Sequence, residues 1–128
     1  MASNKIYVFG NPIVAEDSLA IKVAKILEKE TKDIQFVCVD PNEEIKGEDI
    51  TIMDVAQGIK KVSIITDLNK LDAGKKVSLH DFDIAFSLKL MKKIGLIKSV
   101  KIIAIPLKYP LKKACKEVLD QVHLTFKK

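Results

Sequence analysis

The feature of this sequence that most restricts its fold is a set of apolar runs of strand length, alternating with segments of helical periodicity. Lys5–Phe9, Ile34–Val39, Ile50–Val55, Val62–Thr66 and Val100–Ile105 are rich in β-branched residues and are bounded by Gly, Pro, Asn or Asp. From Ser18, Leu19, Val23, Ile26 and Leu27 recur at three- and four-residue spacing. A second helical stretch over Asp81–Ile94 places Ile84, Leu88, Met91 and Ile94 on one side, with Gly95 positioned to close it. After Pro110, a third runs to Phe126 with Leu111, Cys115, Val118, Leu119 and Val122 as its stripe. The order is β-α-β-β-β-α-β-α. Strands that are apolar throughout, rather than alternating, belong to sheets covered on both faces. The expected fold is therefore an α/β three-layer sandwich with a mostly parallel, about five-stranded sheet. The 62–66 run follows its predecessor too closely for a helical crossover and is expected to be antiparallel.

With 128 residues, the chain is the length of one domain, 1–128, able to bury a core without disulfide or metal staples. Its apolar runs fall far short of a membrane span. The apolar stretch within Met1–Gly10 is too short for a signal peptide, so a cytoplasmic protein is expected. All 22 basic residues are lysine, and the net charge is +5. The lysines are scattered from Lys5 to Lys128, with only two Tyr, five Phe and no Trp among them. That pattern describes a solvated surface better than a nucleic-acid interface, which clusters its charge among aromatics and Arg forks. Cys38 and Cys115 lack CxxC spacing and are expected to be small buried hydrophobes in a reducing compartment.

Open α/β sheets bind ligands outside the carboxyl ends of their strands. Glu16 and Asp17 follow the first strand, Asp54 closes the third, and His80 immediately precedes the second helix. Two carboxylates and one imidazole suit a borderline divalent ion such as nickel, zinc or iron(II). Each residue also has an ordinary explanation: Asp17 as a helix N-cap, Asp54 as a turn former, His80 as a loop or capping residue. His123 lies in the last helical segment, at a surface or boundary position. Asp81 and Asp83 open the second helix, where carboxylates complement the dipole. GxGxxG, GxxxxGK[ST] and GxSxG are all absent.

Three segments together carry a resemblance. Gly10-Asn11 followed by Glu16-Asp17, Asp54-Val55-Ala56-Gln57-Gly58, and Ser78-Leu79-His80 resemble, in order, motifs of the hydrogenase maturation endopeptidases. Those proteases trim the C-terminal extension from the large subunit of nickel-iron hydrogenases. The similarity spans nearly the whole chain, including the last strand with its Pro and the terminal helix. It implies that Asp17, Asp54 and His80 are the nickel-contacting and catalytic residues. It also implies that the partner is a hydrogenase large-subunit precursor, and that nickel arrives within this precursor rather than as a resident cofactor. Asp67 competes for the second carboxylate, but it lacks the following small residue and Gly, and its strand is expected to present the opposite sheet end. The chain departs from the family at Ser18 and Ala20, which stand where Gly is usual, at Lys22 in place of Arg, and at Leu79 in place of Thr. Between Asp40 and Ile50 it lacks a Gly-Thr motif and most of a helix. A non-proteolytic chaperone that binds the nickel site, or a generic α/β binding domain, are the alternatives.

Overall fold

A computed structural model describes residues 4–10, 18–39, 47–68, 78–79 and 82–126, with the backbone alone for 78–79 and 82–85. The elements in chain order are β1 (Asn4–Val8), α1 (Leu19–Glu30), β2 (Ile34–Cys38), β3 (Asp49–Gln57), β4 (Ser63–Ile65), β5 (Ser78–Leu79), α2 (Phe82–Lys93), β6 (Ser99–Pro106) and α3 (Leu111–Thr125). They form one six-stranded sheet in the order β2-β1-β3-β6-β4, with β5 paired to β3 off this path. β1 is parallel to β2 and β3, and β3 is parallel to β6 along its length, from Asp49 opposite Ser99 to Ala56 opposite Pro106. The expected α/β sandwich with a mostly parallel sheet is the observed fold. As expected, β4 is antiparallel, but its partner is β6 rather than the preceding strand. The two-residue β5, also antiparallel, was not anticipated, since two residues carry no periodicity.

Side-chain alternation along the central strands divides the core into two layers. Ile6, Val8, Met53, Val55, Ile103 and Ile105 pack with Leu19, Ala20, Val23 and Leu27 of α1 and with Ala114, Val118 and Val122 of α3. Ile50, Ile52, Ala56, Ile102 and Ala104 pack on the other side with Leu88 of α2 and with Ile97. The connections therefore wind over both faces, which gives three layers. Met53, Ile52, Ile102 and Ile103 are wholly buried because they lie on strands with neighbours on both edges and helices above and below.

The helix ends show how local chemistry sets boundaries. α2 stops in a Schellman turn: the Gly95 N–H donates to the Lys92 carbonyl (3.2 Å), and the Leu96 N–H donates to the Met91 carbonyl (2.9 Å). Gly95 sits at φ +84°, a conformation that disfavours other residues. At the end of α1, the Thr31 N–H and hydroxyl both donate to the Leu27 carbonyl, at 2.9 and 2.8 Å. Three expected stripe members lie outside the core. Ile26 and Leu111 sit at the margins of their helices' apolar faces, and Ile94 falls just beyond α2, pointing to solvent. Cys38 is exposed rather than buried, because β2 is an edge strand and Cys38 is its last residue. Cys115 is half-buried against the α1/α3 layer, and partial desolvation of each sulfur raises both thiols above their ordinary value, Cys38 despite the exposure of its residue as a whole.

One carboxylate fastens the short edge strand to the helical layer. Glu117 of α3 accepts the Val62 N–H at 3.0 Å, just before β4, and the Tyr109 hydroxyl at 2.8 Å on each oxygen. The Lys113 ammonium lies 5.2 Å from the centroid of the Tyr109 ring. Burial would raise the Glu117 carboxyl, but the Val62 N–H, the Tyr109 hydroxyl, Lys113 and Lys61 outweigh it and hold it below its ordinary 4.5. A lowered carboxyl stabilises the folded chain fully above the unfolded value and loses that contribution as pH falls through the folded one. The Tm advantage of the parent chain over Glu117→Gln should thus be several degrees near neutral pH and shrink steadily below about pH 4.5. Thermal melts of both proteins from about pH 7 to pH 3 measure it, and a constant difference would contradict the ionic role.

Candidate functional site

The chain reverses its winding direction between β1 and β3. β1 connects through α1 to β2 on one side, and the chain then crosses to β3 on the other. Such a switch point leaves a crevice at the carboxyl ends of the two strands, where open α/β sheets hold their ligands. β1 ends at Val8, opposite Met53, and the Phe9 N–H donates to the Met53 carbonyl at 3.0 Å. β3 does not end there. It continues to Gln57, paired with β6 on one side and, beyond the end of β1, with β5 on the other, Ala56 opposite Leu79 and Gln57 opposite Ser78. Gly58 follows at φ +92°, where a side chain would be strained, and turns the chain away.

Asp54 lies in the interval between these two partners. It is one residue past Met53, where β1 departs, and two before Ala56, where β5 begins. Its relative exposure is 0%. Across β6 it is in register with Ala104, and alternation places it on the α2 side of the sheet with Ile52 and Ala56. The turn-forming explanation of Asp54 is thereby excluded: the strand runs through it because β3 stays paired with β6 along its length, Asp54 opposite Ala104. A carboxylate in a low-dielectric interior costs several kcal/mol unless compensated. Perturbing environments of this kind cluster at functional sites.

The other two expected residues, Asp17 and His80, lie outside the described residues, as do Glu16 and Asn11. Their sequence neighbours are described. Ser18, directly after Asp17, is buried at the N-cap of α1, which makes no side-chain capping hydrogen bond. Leu79, directly before His80, is the β5 residue opposite Ala56. Asp67 is exposed and follows β4, which runs antiparallel to β6, so it belongs to the opposite end of the sheet from Asp54. His123 is exposed on α3. Among the described residues, no group of three His, Cys, Asp or Glu side chains is placed to hold a metal ion. Among them, too, no helix is long and apolar enough to cross a membrane. Sequence reasoning did not find the Glu117 anchor, whose partners Val62 and Tyr109 lie 55 and 8 residues away in the chain.

No protein-family model matches the chain, and no curated protein matches its sequence. Solved structures do match its fold. A [NiFe] hydrogenase maturation protease, HycI, from Thermococcus kodakarensis superposes with a TM-score of 0.62 at 16% identity, over 98% of this chain and 94% of that one. The hydrogenase 2 maturation peptidase of a Thaumarchaeota archaeon gives a TM-score of 0.54 at 15% identity, over 96% and 97%. An uncharacterized protein from Wolinella succinogenes gives 0.54 at 10% identity, over 97% and 95%. The coverage is nearly complete in both directions, so the chain is similar to the hydrogenase maturation proteases in its whole architecture, not in one motif.

Asp54→Asn keeps the buried volume of the side chain, so the variant is expected to fold cooperatively at pH 7, read by circular dichroism. A collapse of the fold would make Asp54 a structural residue instead. Asp67→Asn, at an exposed position, should change Tm by no more than a degree or so.

Proposed function

We propose that this protein is a cytoplasmic endopeptidase that removes the C-terminal extension of a nickel-iron hydrogenase large-subunit precursor after nickel insertion. The observation that carries this reading is the buried carboxylate of Asp54 at the switch point of a maturation-protease fold. In this proposal Asp17, Asp54 and His80 contact the nickel, which belongs to the substrate. Carboxylates crowded into one crevice repel one another, and a divalent cation offsets both that repulsion and the cost of burial. The three residues therefore engage a loaded precursor and bind an empty one poorly. This gates cleavage by metal insertion. One of the two carboxylates then serves as general base for the attacking water, and the metal-bound region of the substrate fixes the scissile bond beside it.

A second reading has a specific observation behind it. Ser18 and Ala20, which stand where the resembled family has glycines, are both buried at the start of α1. A chain altered there suits a chaperone that binds the nickel site without cutting.

Incubation with nickel-loaded and nickel-free precursor, followed by intact mass spectrometry, separates the two. The expected result is loss of the C-terminal tail from the loaded precursor alone. Asp17→Ala and His80→Ala should abolish that loss with Tm held within a few degrees. Nickel-dependent binding without cleavage, lost in Asp54→Ala, would support the chaperone, and neither binding nor cleavage would remove both.

A further inference from the structure

The α1/α3 layer does not cover the sheet down to the amino ends of its strands, where Asp49, Ser99 and Lys101 are exposed. A cavity of about 560 Å³ lies there, over the first residues of β1, β3 and β6 and against the end of α3. Its volume is that of a small-molecule site, roughly 300–1,000 Å³. Asn4, Asp49, Thr51, Ser99 and Lys101 line it from the sheet, on the face that Ile6, Met53 and Ile103 continue into the core. Phe126, half-buried, lines it from α3. Lys5, Tyr7 and Ile50 also border it, but alternation directs their side chains to the opposite face.

Two cross-strand pairs set the chemistry of its floor. Asp49 is in register with Ser99, and Thr51 with Lys101. The Ser99 hydroxyl donates to Asp49 Oδ1 at 2.6 Å, a charge-assisted bond that fixes the carboxylate while engaging one of its two oxygens. Among the described residues, no ion pair joins Asp49 to Lys101. Thr51 is 8% exposed, and its hydroxyl has no hydrogen-bond partner among the described residues. A hydroxyl so deeply placed costs free energy until an acceptor reaches it. α3 ends at Thr125, beside Phe126, so the partial negative charge of its last carbonyls lies at that wall.

We propose that this cavity binds a free α-amino acid with a large apolar side chain, its ammonium on Asp49 and its carboxylate on Thr51 and Lys101. A lone anion such as phosphate would face Asp49 and the helix end with one opposing ammonium, and a lone cation would face Lys101. A zwitterion satisfies both signs. Asp49 and Thr51 are two residues apart on β3, about 7 Å. The ammonium and carboxylate of one α-carbon are about 3 Å apart, and a hydrogen bond of about 2.9 Å at each end lets them reach across that interval. The ends of a peptide, further apart by at least about 3.5 Å, overrun it. The Phe126 ring offers the amino-acid side chain an apolar contact. This site lies at the amino ends of the strands, the opposite end of the sheet from Asp54, and does not depend on the proposed peptidase activity.

Isothermal titration calorimetry of the full chain with L-phenylalanine tests the site. N-acetyl-L-phenylalanine, which lacks the ammonium, and L-phenylalaninamide, which lacks the carboxylate, are titrated in parallel, as are D-glucose and inorganic phosphate. The expected result is saturable binding of L-phenylalanine, with each blocked derivative weaker by about ten-fold or more. Asp49→Asn should weaken L-phenylalanine by a similar factor and shrink the penalty for acetylation. Lys101→Gln should shrink the penalty for amidation. Thr51→Val, nearly equal in volume, should weaken binding several-fold with a parental melt. Asp67→Asn, at the other end of the sheet, should bind as the parent does. Absence of binding up to about 10 mM, equal affinity for the blocked derivatives, or parental affinity in both Asp49→Asn and Lys101→Gln would each overturn the proposal. Binding of glucose or phosphate in place of L-phenylalanine, abolished by the same substitutions, would overturn the ligand class.

Discussion

The ladder between β3 and β6 is the interaction on which the rest of the molecule depends. It runs unbroken from Asp49 to Ala56, and every other part is placed relative to it. β1 pairs against its free side and carries β2. β4 pairs against β6, and the two core layers are the two faces of this strand pair. Because β3 is flanked on both edges and covered on both faces, nearly all its side chains are excluded from water. A carboxylate within its buried run is then an energetic exception. Asp54 is that carboxylate, and it falls where one neighbouring strand has ended and another has begun.

The same layout separates the surroundings of the candidate site from the rest of the core. Asp54 and α2 lie on one side of the sheet, while α1 and α3 cover the other. The α1/α3 layer is closed by apolar packing and reinforced by the Glu117 anchor at the sheet edge. The α2 layer has a single described helix, apolar outward as well as inward. One layer supplies stability; the other presents surface.

Much of the architecture was legible in the sequence. All three described helices and five of the six described strands were located within a few residues, because continuous apolar runs and three- and four-residue spacings are direct consequences of burial. The parallel sheet followed from the lack of polar alternation in those runs, and the antiparallel edge strand from a connection too short for a crossover. Asp17, Asp54 and His80 could be singled out as candidates because a carboxylate or imidazole at a strand end or helix start stands out against an apolar pattern. Asp54 alone of these lies within the described residues. What failed to show were features that depend on distant pairing: β5, the Glu117 anchor, and the exposure of Cys38 and Ile94.

The sequence by itself determined the fold class and the list of residues able to do chemistry, because both depend on local pattern and side-chain type. The tertiary structure decided the environment of those residues. A turn-forming Asp54 and a buried Asp54 are the same letter in the same run. Only the pairing of β3 with β6 on one edge, and with β1 then β5 on the other, carries the strand through that position and removes its carboxylate from water. Likewise, periodicity gave α2 one apolar face, and only its placement against a single sheet face left Phe86, Leu90 and Ile94 in solvent. Burial is a property of what lies opposite, and what lies opposite is set by contacts between residues far apart in the chain.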